Sequence, residues 1–353
     1  MGAAGVLAGV RIVEIGAEGT ASLATRALAE QGATVIRIEW TQRPGALRTS
    51  HARAGEPTDL DASRRFARLN PDKWSVAIDV HAPAGAALVA RLAARVDVLA
   101  MHGESSALDG LGLVPTALLS RHPQLVVLTG PAGDVTVDPL MARGMALSVA
   151  AALLARARTG IGRHIDVSDL EAVVRGVAAG RVLRWPTPVT GFHPCADGTA
   201  MAIEIGCDAD WRALVVAMGS PAWAADARFA TASDRETHRE ALDQALATFT
   251  REHPPYPLMA RLQQAGVRAG VVQDFQRVLR DPQLAHRHHF TVLDHAALGR
   301  MPYERGGIRI GASSGGFDDS APLLGEDGDV VLGEFLGLSP EQIETLIADG
   351  IIG

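Results

Sequence analysis

The chain has 353 residues, 47% hydrophobic and 21% charged, enough for one large domain or two modest ones with a full core. Forty acidic against 33 basic side chains leave a formal charge of −7, which argues against nucleic acid as the main partner. Two cysteines, Cys195 and Cys207, make no disulfide framework, and no uninterrupted run of eighteen apolar residues marks a membrane span.

The amino-terminal stretch MGAAGVLAGVRIVEIG has no basic leader and runs directly into a strand over 10–16, so a cytoplasmic protein is expected. Leu23, Ala24, Leu28 and Ala29 recur at helical spacing over 20–32, and Gly32 reads as the helix stop. Further strands are expected over 33–39, 75–80, 97–101 and 123–130, with helices over 84–96 and 139–160. This βα alternation predicts a doubly wound parallel sheet with right-handed crossovers. A Pro/Gly-rich connector, VLRWPTPVTGFHPCADG, changes the character of the chain near 182–198. Beyond it come the strand TAMAIEIG and a run of amphipathic helices from Asp208 to about Leu279. Two helical segments close the chain, the second opened by Ser339, Pro340 and Gln342 in a capping-box arrangement. The expected organisation is an α/β large domain from 1–185, a linker and smaller, mainly helical α+β domain over 186–300, and a segment 301–353 returning to the large domain.

Gly16 and Gly19 in the first turn, with Glu39 ending the second strand, suggest a nicotinamide dinucleotide site. The spacing lacks the three-glycine pattern, however, and an ordinary sheet turn is the simpler reading. The HRHHF stretch brings His286, His288 and His289 near His295, but no acid or cysteine completes a ligand set, so no metal is expected. More suggestive is LTGPAGDVTVDPLMARG, a strand-to-helix junction that carries Asp134 and Asp138 in one turn. An acid immediately before Pro139 suits a helix N-cap, and it also suits a carboxylate placed at the edge of a crevice. Lys73 stands out as the single lysine in a chain with 32 arginines; a solvated turn residue is its bland reading.

Several blocks in order resemble the class III CoA-transferases, the family of formyl-CoA and carnitine CoA-transferases and 2-methylacyl-CoA racemases. They are LAGVRIVEIG, ALAEQGATVIRIE, FARLNPDKWSVAIDVHAPAG, LGLVPTALLSRHPQLVVLTG and AALLARARTGIGRHIDVSDLEA. In the second half they continue as PAWAADARFATASDR, AGVRAGVVQDFQRVLRDPQLAHRHHF and APLLGEDGDVVLGEFLGLSPEQIETLIADGII. The resemblance implies a Rossmann-like large domain, an interlocked homodimer, and coenzyme A as co-substrate rather than a tightly bound cofactor. In such transferases a carboxylate attacks an acyl-CoA thioester; the racemases use an acid/base pair at the α-carbon.

Measured against that family, the segment between LTG and the long helix is short, and the usual attacking carboxylate is missing. Asp138 falls on the partner acid used by racemases, with Asp134 beside it, and both are the candidate catalytic residues. Arg37, Asn70, Lys73, Asp79, His81 and His102 are the candidate CoA contacts. The cation expected after Glu39 is Trp40, a later phosphate-binding arginine is Gly110, and the closing motif carries Asp327 in place of histidine. CoA transfer to or from a small carboxylic acid is therefore expected. The alternatives are α-proton chemistry at Asp138 and a family member that binds a small acid without CoA turnover.

Overall fold

Short β-branched runs separated by helices build a six-stranded sheet in the computed structural model, which describes residues 5–16, 18–50, 59–102, 112–130, 138–168, 189–311 and 315–353. Its strands are β1 (Arg11–Ile15), β2 (Thr34–Glu39), β3 (Lys73–Ala77), β4 (Val98–His102), β5 (Val126–Gly130) and β6 (His164–Asp166). All pair in parallel, in the order β3-β2-β1-β4-β5-β6. The order reverses direction between β1 and β4, which creates the crevice at strand carboxyl ends where such sheets take ligands.

The helices of this region are α1 (Gly19–Ala29), α2 (Ala46–Thr49), α3 (Arg64–Leu69), α4 (Pro83–Ala93), α5 (Pro115–Arg121) and α6 (Pro139–Thr159). Strand residues alternate between two cores, as a period of two requires. Val13, Ile36, Val76, Leu99 and Val127 pack with Leu88 and Leu92 of α4 and with Val331 and Leu336 from the carboxyl-terminal segment. Ile12, Val35, Val98, Val126 and Leu128 pack with Leu28 of α1 and Met145 and Val149 of α6. Gly32, at φ 94, reverses the chain after α1, where a side chain would be strained. Asp138 caps α6 and Gly160, at φ 73, ends it, so both limits of that helix follow from local sequence.

The described residues fall into two compact units, one within 1–176 and 288–353 and the other within 177–287. In the first unit the carboxyl-terminal segment is clamped to β3: Ser75 N donates to Asp327 Oδ2 at 2.7 Å, and Asp327 N donates back to Ser75 O at 2.9 Å. The second unit holds an antiparallel sheet of β7 (Val189–Pro194), β8 (Ala200–Ile205) and β9 (Arg268–Val272). Against it pack α7 (Asp208–Ala217), α9 (Arg239–Arg251) and α10 (Pro255–Gln264), with α8 (Ala232–Thr237) and an aromatic cluster of Trp211, Trp223 and Phe229. Two short helices follow, α11 (Phe275–Val278) and α12 (Pro282–His286).

Two expectations need correction. The stretch read as continuous helices contains β9, whose residues are mostly half exposed and carry no strong alternation. The histidine-rich region continues into an unforeseen hairpin, β10 (Phe290–His295) with β11 (Gly299–Glu304); in its turn His295 Nδ1 accepts from Ala297 N and Leu298 N. Helix α6 meets the length and composition of a membrane span, as core helices also do, and part of it packs in the core. The Ser339 box forms as read: Ser339 N donates to Gln342 Oε1 at 2.9 Å at the start of α13 (Pro340–Ala348).

Candidate active site

On the α1 side of the sheet, positions that alternation reserves for apolar residues carry charge. Glu14 on β1 lies in register with Arg37 on β2, and Lys73 opens the neighbouring β3. Lys73 Nζ donates to both Glu14 oxygens at 3.0 and 3.1 Å, to Thr25 Oγ1 at 2.7 Å and to Ser22 O at 3.1 Å. Arg37 Nη1 donates to Glu14 Oε1 at 3.0 Å and to Ser22 Oγ at 3.1 Å, and its guanidinium also pairs with Glu18 and Glu39. Glu39 is gripped from the far side by Arg48 at 2.7 and 2.9 Å and by Ser75 Oγ at 2.8 Å. The Phe66 ring lies 3.6 Å below the Arg48 guanidinium. Three carboxylates and three cations thus satisfy one another away from water, the only way such charges persist in a core.

These pairings set the titration behaviour. Burial alone would raise Glu14 and Glu39, but the adjacent cations outweigh it, holding Glu14 below its usual range and Glu39 down to about 2. Burial pushes Lys73 down to about 8, with Glu14 opposing, so the ammonium persists at neutral pH. Burial raises Glu18, which Arg37 and the Leu47 amide only partly counter.

Above this paired floor lies a cavity of about 250 Å³ at the carboxyl ends of β1, β2 and β4, lined among others by Gly16, Glu18, Arg43, His81 and His102. Gly16 has φ 65, and a Cβ there would sit 2.1 Å from the His102 carbonyl oxygen, so β1 and β4 can splay at this point only around glycine. Gly130 likewise leaves room for the His102 ring: a Cβ would fall 2.7 Å from Nδ1. Burial pushes His102 down to about 4, so its imidazole is neutral, and its Nε2 has no hydrogen-bond partner among the described residues. An orphaned ring nitrogen at a cavity wall is a group a ligand can satisfy.

The expected site residues divide accordingly. Arg37, His81 and His102 meet at the cavity. Lys73 is neither a ligand nor a solvated turn residue, because its three protons are directed to internal acceptors. Asn70 is fully buried, and its Nδ2 donates to Phe66 O at 2.9 Å as the carboxyl-terminal cap of α3, away from the cavity lining. Asp79 Oδ1 accepts from His81 N at 3.0 Å; it shapes the loop that presents His81 and does not itself line the cavity. Glu39, read as a ribose acid, is committed to Arg48 and Ser75. Asp138 Oδ1 accepts from Leu140 N at 2.9 Å and Met141 N at 3.0 Å, and the residue is absent from the cavity lining. Asp134 lies outside the described residues.

Two lining residues escaped the sequence reading. Arg43 is exposed and stands three residues beyond Trp40 in the turn TQRPG after β2; a cation sought immediately after Glu39 is supplied slightly later. Glu18 precedes α1, where its Oε2 accepts from Leu47 N at 2.8 Å, and a Cβ on Gly45 would strike its Oε1. Among the described residues no group of three histidines, cysteines or acids has the geometry to hold a metal.

Comparison with known proteins agrees with this architecture. The model of CoA-transferase family III matches residues 7–132 and 131–328, two pieces that meet just beyond β5. A probable CoA-transferase of Mycobacterium tuberculosis, Rv1866, is 27% identical over 401 positions, covering 98% of this chain; the chain spans only 50% of that relative's length. The succinyl-CoA–D-citramalate CoA-transferase of Chloroflexus aurantiacus is 26% identical, covering 97% of each. A crystal structure of a CAIB/BAIF family protein from Brucella suis superposes with a TM-score of 0.74 at 25% identity, over 94% of this chain and 99% of that one. With sequence blocks, sheet order and family match all running through most of its length, the chain belongs to CoA-transferase family III.

Proposed function

We propose that this chain is a CoA-thioester enzyme, moving CoA between an acyl-CoA and a small carboxylic acid, and that it works as a homodimer. The observation that carries the reading is the cavity at the strand reversal, with Arg43 and His81 exposed on its lining and a neutral, unpartnered His102 in its wall. A cavity of about 250 Å³ is small beside the roughly 300–1,000 Å³ of small-molecule clefts, so it suits one part of CoA while the rest lies along the surface. Arg43 supplies a rim cation for phosphate, a role planar guanidinium fills well. With its proton on Nε2, His102 suits a carbonyl oxygen on which charge develops; a neutral imidazole donates there without losing a full positive charge.

The family match breaks into two pieces just beyond β5, which supports a shortened segment where the family keeps its attacking carboxylate. That observation favours a second reading, binding of an acyl-CoA or small acid without turnover. The α-proton alternative at Asp138 has less support, since that carboxylate caps α6. Calorimetric titration with CoA, followed by an assay with succinyl-CoA and a panel of carboxylates, separates these. Saturable CoA binding with acceptor-dependent transfer is expected. Binding without transfer selects the second reading, and a flat titration at millimolar CoA removes both in their CoA form.

A further inference from the structure

Two carboxylates among the described residues line the cavity, Glu18 and Glu39, and they are held in different ways. Glu39 is committed: Arg48 grips both of its oxygens, Ser75 Oγ donates to Oε2, and Arg37 Nε lies 3.1 Å from Oε1. Glu18 is fixed at one oxygen. Leu47 N donates to its Oε2 at 2.8 Å, whereas Oε1 has the Arg37 guanidinium at 3.4 Å, long for a charge-assisted bond. Gly45 leaves room for Oε1, since a Cβ there would strike it. Cations hold Glu14 and Glu39 below the ordinary range, while burial raises Glu18, so Glu18 is the least stabilised anion of the three. An under-stabilised carboxylate in a cavity wall is placed for reaction rather than for structural pairing.

We propose that Glu18 is the attacking group of this enzyme: the turn between β1 and α1 supplies the nucleophile, rather than the segment after β5. The assignment deepens the CoA-transfer reading above and rests on it. Exchange of CoA between two acids must keep the activation of the thioester, and a carboxylate nucleophile keeps it in covalent form. Glu18 Oε1 attacks the thioester carbonyl carbon; the C–S bond breaks, CoA leaves as its thiolate, and Glu18 is joined to the acyl group as a mixed anhydride. The thiolate attacks the Glu18 carbonyl carbon and expels the acyl carboxylate, leaving a thioester between Glu18 and CoA. The acceptor carboxylate attacks that thioester, forming a second anhydride and expelling the thiolate. The thiolate then attacks the acceptor carbonyl carbon and releases the Glu18 carboxylate. No proton, oxidant or reductant is consumed, and Glu18 ends as it began. Anhydride and thioester are both open to hydrolysis, and the buried apolar lining of Ile15, Ile38, Ile78 and Val80 limits the water that reaches them.

Trapping the covalent intermediate in the full chain tests this. Incubated with succinyl-CoA and then hydroxylamine, the wild type is expected to carry a hydroxamate on Glu18, and none when succinyl-CoA is left out. The tryptic peptide 12–26 also contains Glu14, and its fragment ions separate the two positions. Glu18→Gln should lower kcat for CoA transfer from succinyl-CoA to a carboxylate by at least about 1,000-fold. It should bind CoA no more weakly than the wild type and keep native circular dichroism, a split that a merely structural glutamate would not produce. Should Glu18→Gln fail to fold, the site of the hydroxamate decides, because it is read on the wild type. A hydroxamate on Asp134 or Asp138 overturns the assignment and leaves the CoA-transfer reading standing. A folded Glu18→Gln chain that retains about a tenth or more of the wild-type kcat does the same. A wild type that binds CoA but neither transfers it nor forms a hydroxamate overturns both and selects binding without turnover.

Discussion

The floor and the rim of the cavity hold similar residues in opposite states. On the floor, Lys73 and Arg48 are buried and turned to internal carboxylates; at the rim, Arg43 and His81 are exposed. Arg37 touches both regions, yet three carboxylates surround its guanidinium. A cation's value to an anionic ligand depends on whether its charge is already neutralised. The floor therefore governs stability and the rim governs binding, and substitutions in the two places should separate these quantities.

The largest expected effect is on the floor. Lys73→Met leaves Glu14 buried with one cation fewer and should destabilise the fold by about 3 kcal/mol or more, read as a lower urea midpoint. Adding Glu14→Gln should recover most of the loss, since the penalty lies in the unpaired charge rather than in the missing attraction. If Lys73→Met instead keeps full stability and weakens CoA binding, the division between floor and rim fails.

His102 joins the two regions and makes the comparison depend on pH. Burial holds its folded value near 4 against an ordinary 6.5, so below pH 6.5 the unfolded chain takes up a proton that the folded chain refuses. Stability is then fully present above pH 6.5 and falls as the pH drops through 4, by about 3 kcal/mol in all. His102→Gln should flatten the urea midpoint between pH 6.5 and 4, while leaving the steeper acid loss in which Glu39, held near 2, takes part below 4.5.

Much of the fold was legible because its signals are local. Gly32 after α1, Asp138–Pro139 before α6, Gly160 after it and the Ser339 box each act within a turn of their own position. The sheet followed from apolar runs alternating with helices, and Gly16 was visible as a first-turn glycine. The charged floor was not legible. Lys73 and Glu14 are 59 positions apart and meet only because β2 lies between their strands, so a solitary lysine looked available when it was committed. Arg43 was missed for the opposite reason: its position four residues past the acid matters only once the turn after β2 faces the crevice. Strand β9 and the β10–β11 hairpin escaped because half-exposed strands of five or six residues carry no firm alternation.

At the rim, Arg43→Ala should leave the urea midpoint within about 0.5 kcal/mol of wild type, as an exposed side chain with no structural duty does. CoA affinity should fall by about tenfold or more through the loss of one charge-assisted phosphate contact, measured by calorimetry. Dephospho-CoA tested beside CoA sharpens the result: an equal loss for both places Arg43 on the pyrophosphate, and a loss confined to CoA places it on the 3′-phosphate. No loss for either ligand would remove Arg43 from the site.

Glu18 offers the smallest and most discriminating change, because it touches both regions. Its Oε2 accepts from Leu47 N and its Oε1 faces Arg37, yet it lines the cavity that an anion would enter. Burial raises it above the ordinary glutamate value, so folding favours its protonated form: that contribution is full below the unfolded value and is lost as pH rises through the folded one. Glu18→Gln keeps an oxygen for Leu47 N and removes the negative charge. Stability at neutral pH should move by less than about 1 kcal/mol, and CoA affinity should rise by roughly two- to fivefold through removal of like-charge repulsion. The gain should shrink as salt is added, since a partly open cavity is screened by mobile ions. An affinity that falls instead would mean that Glu18 accepts a hydrogen bond from the ligand, placing this carboxylate in the binding site in its own right.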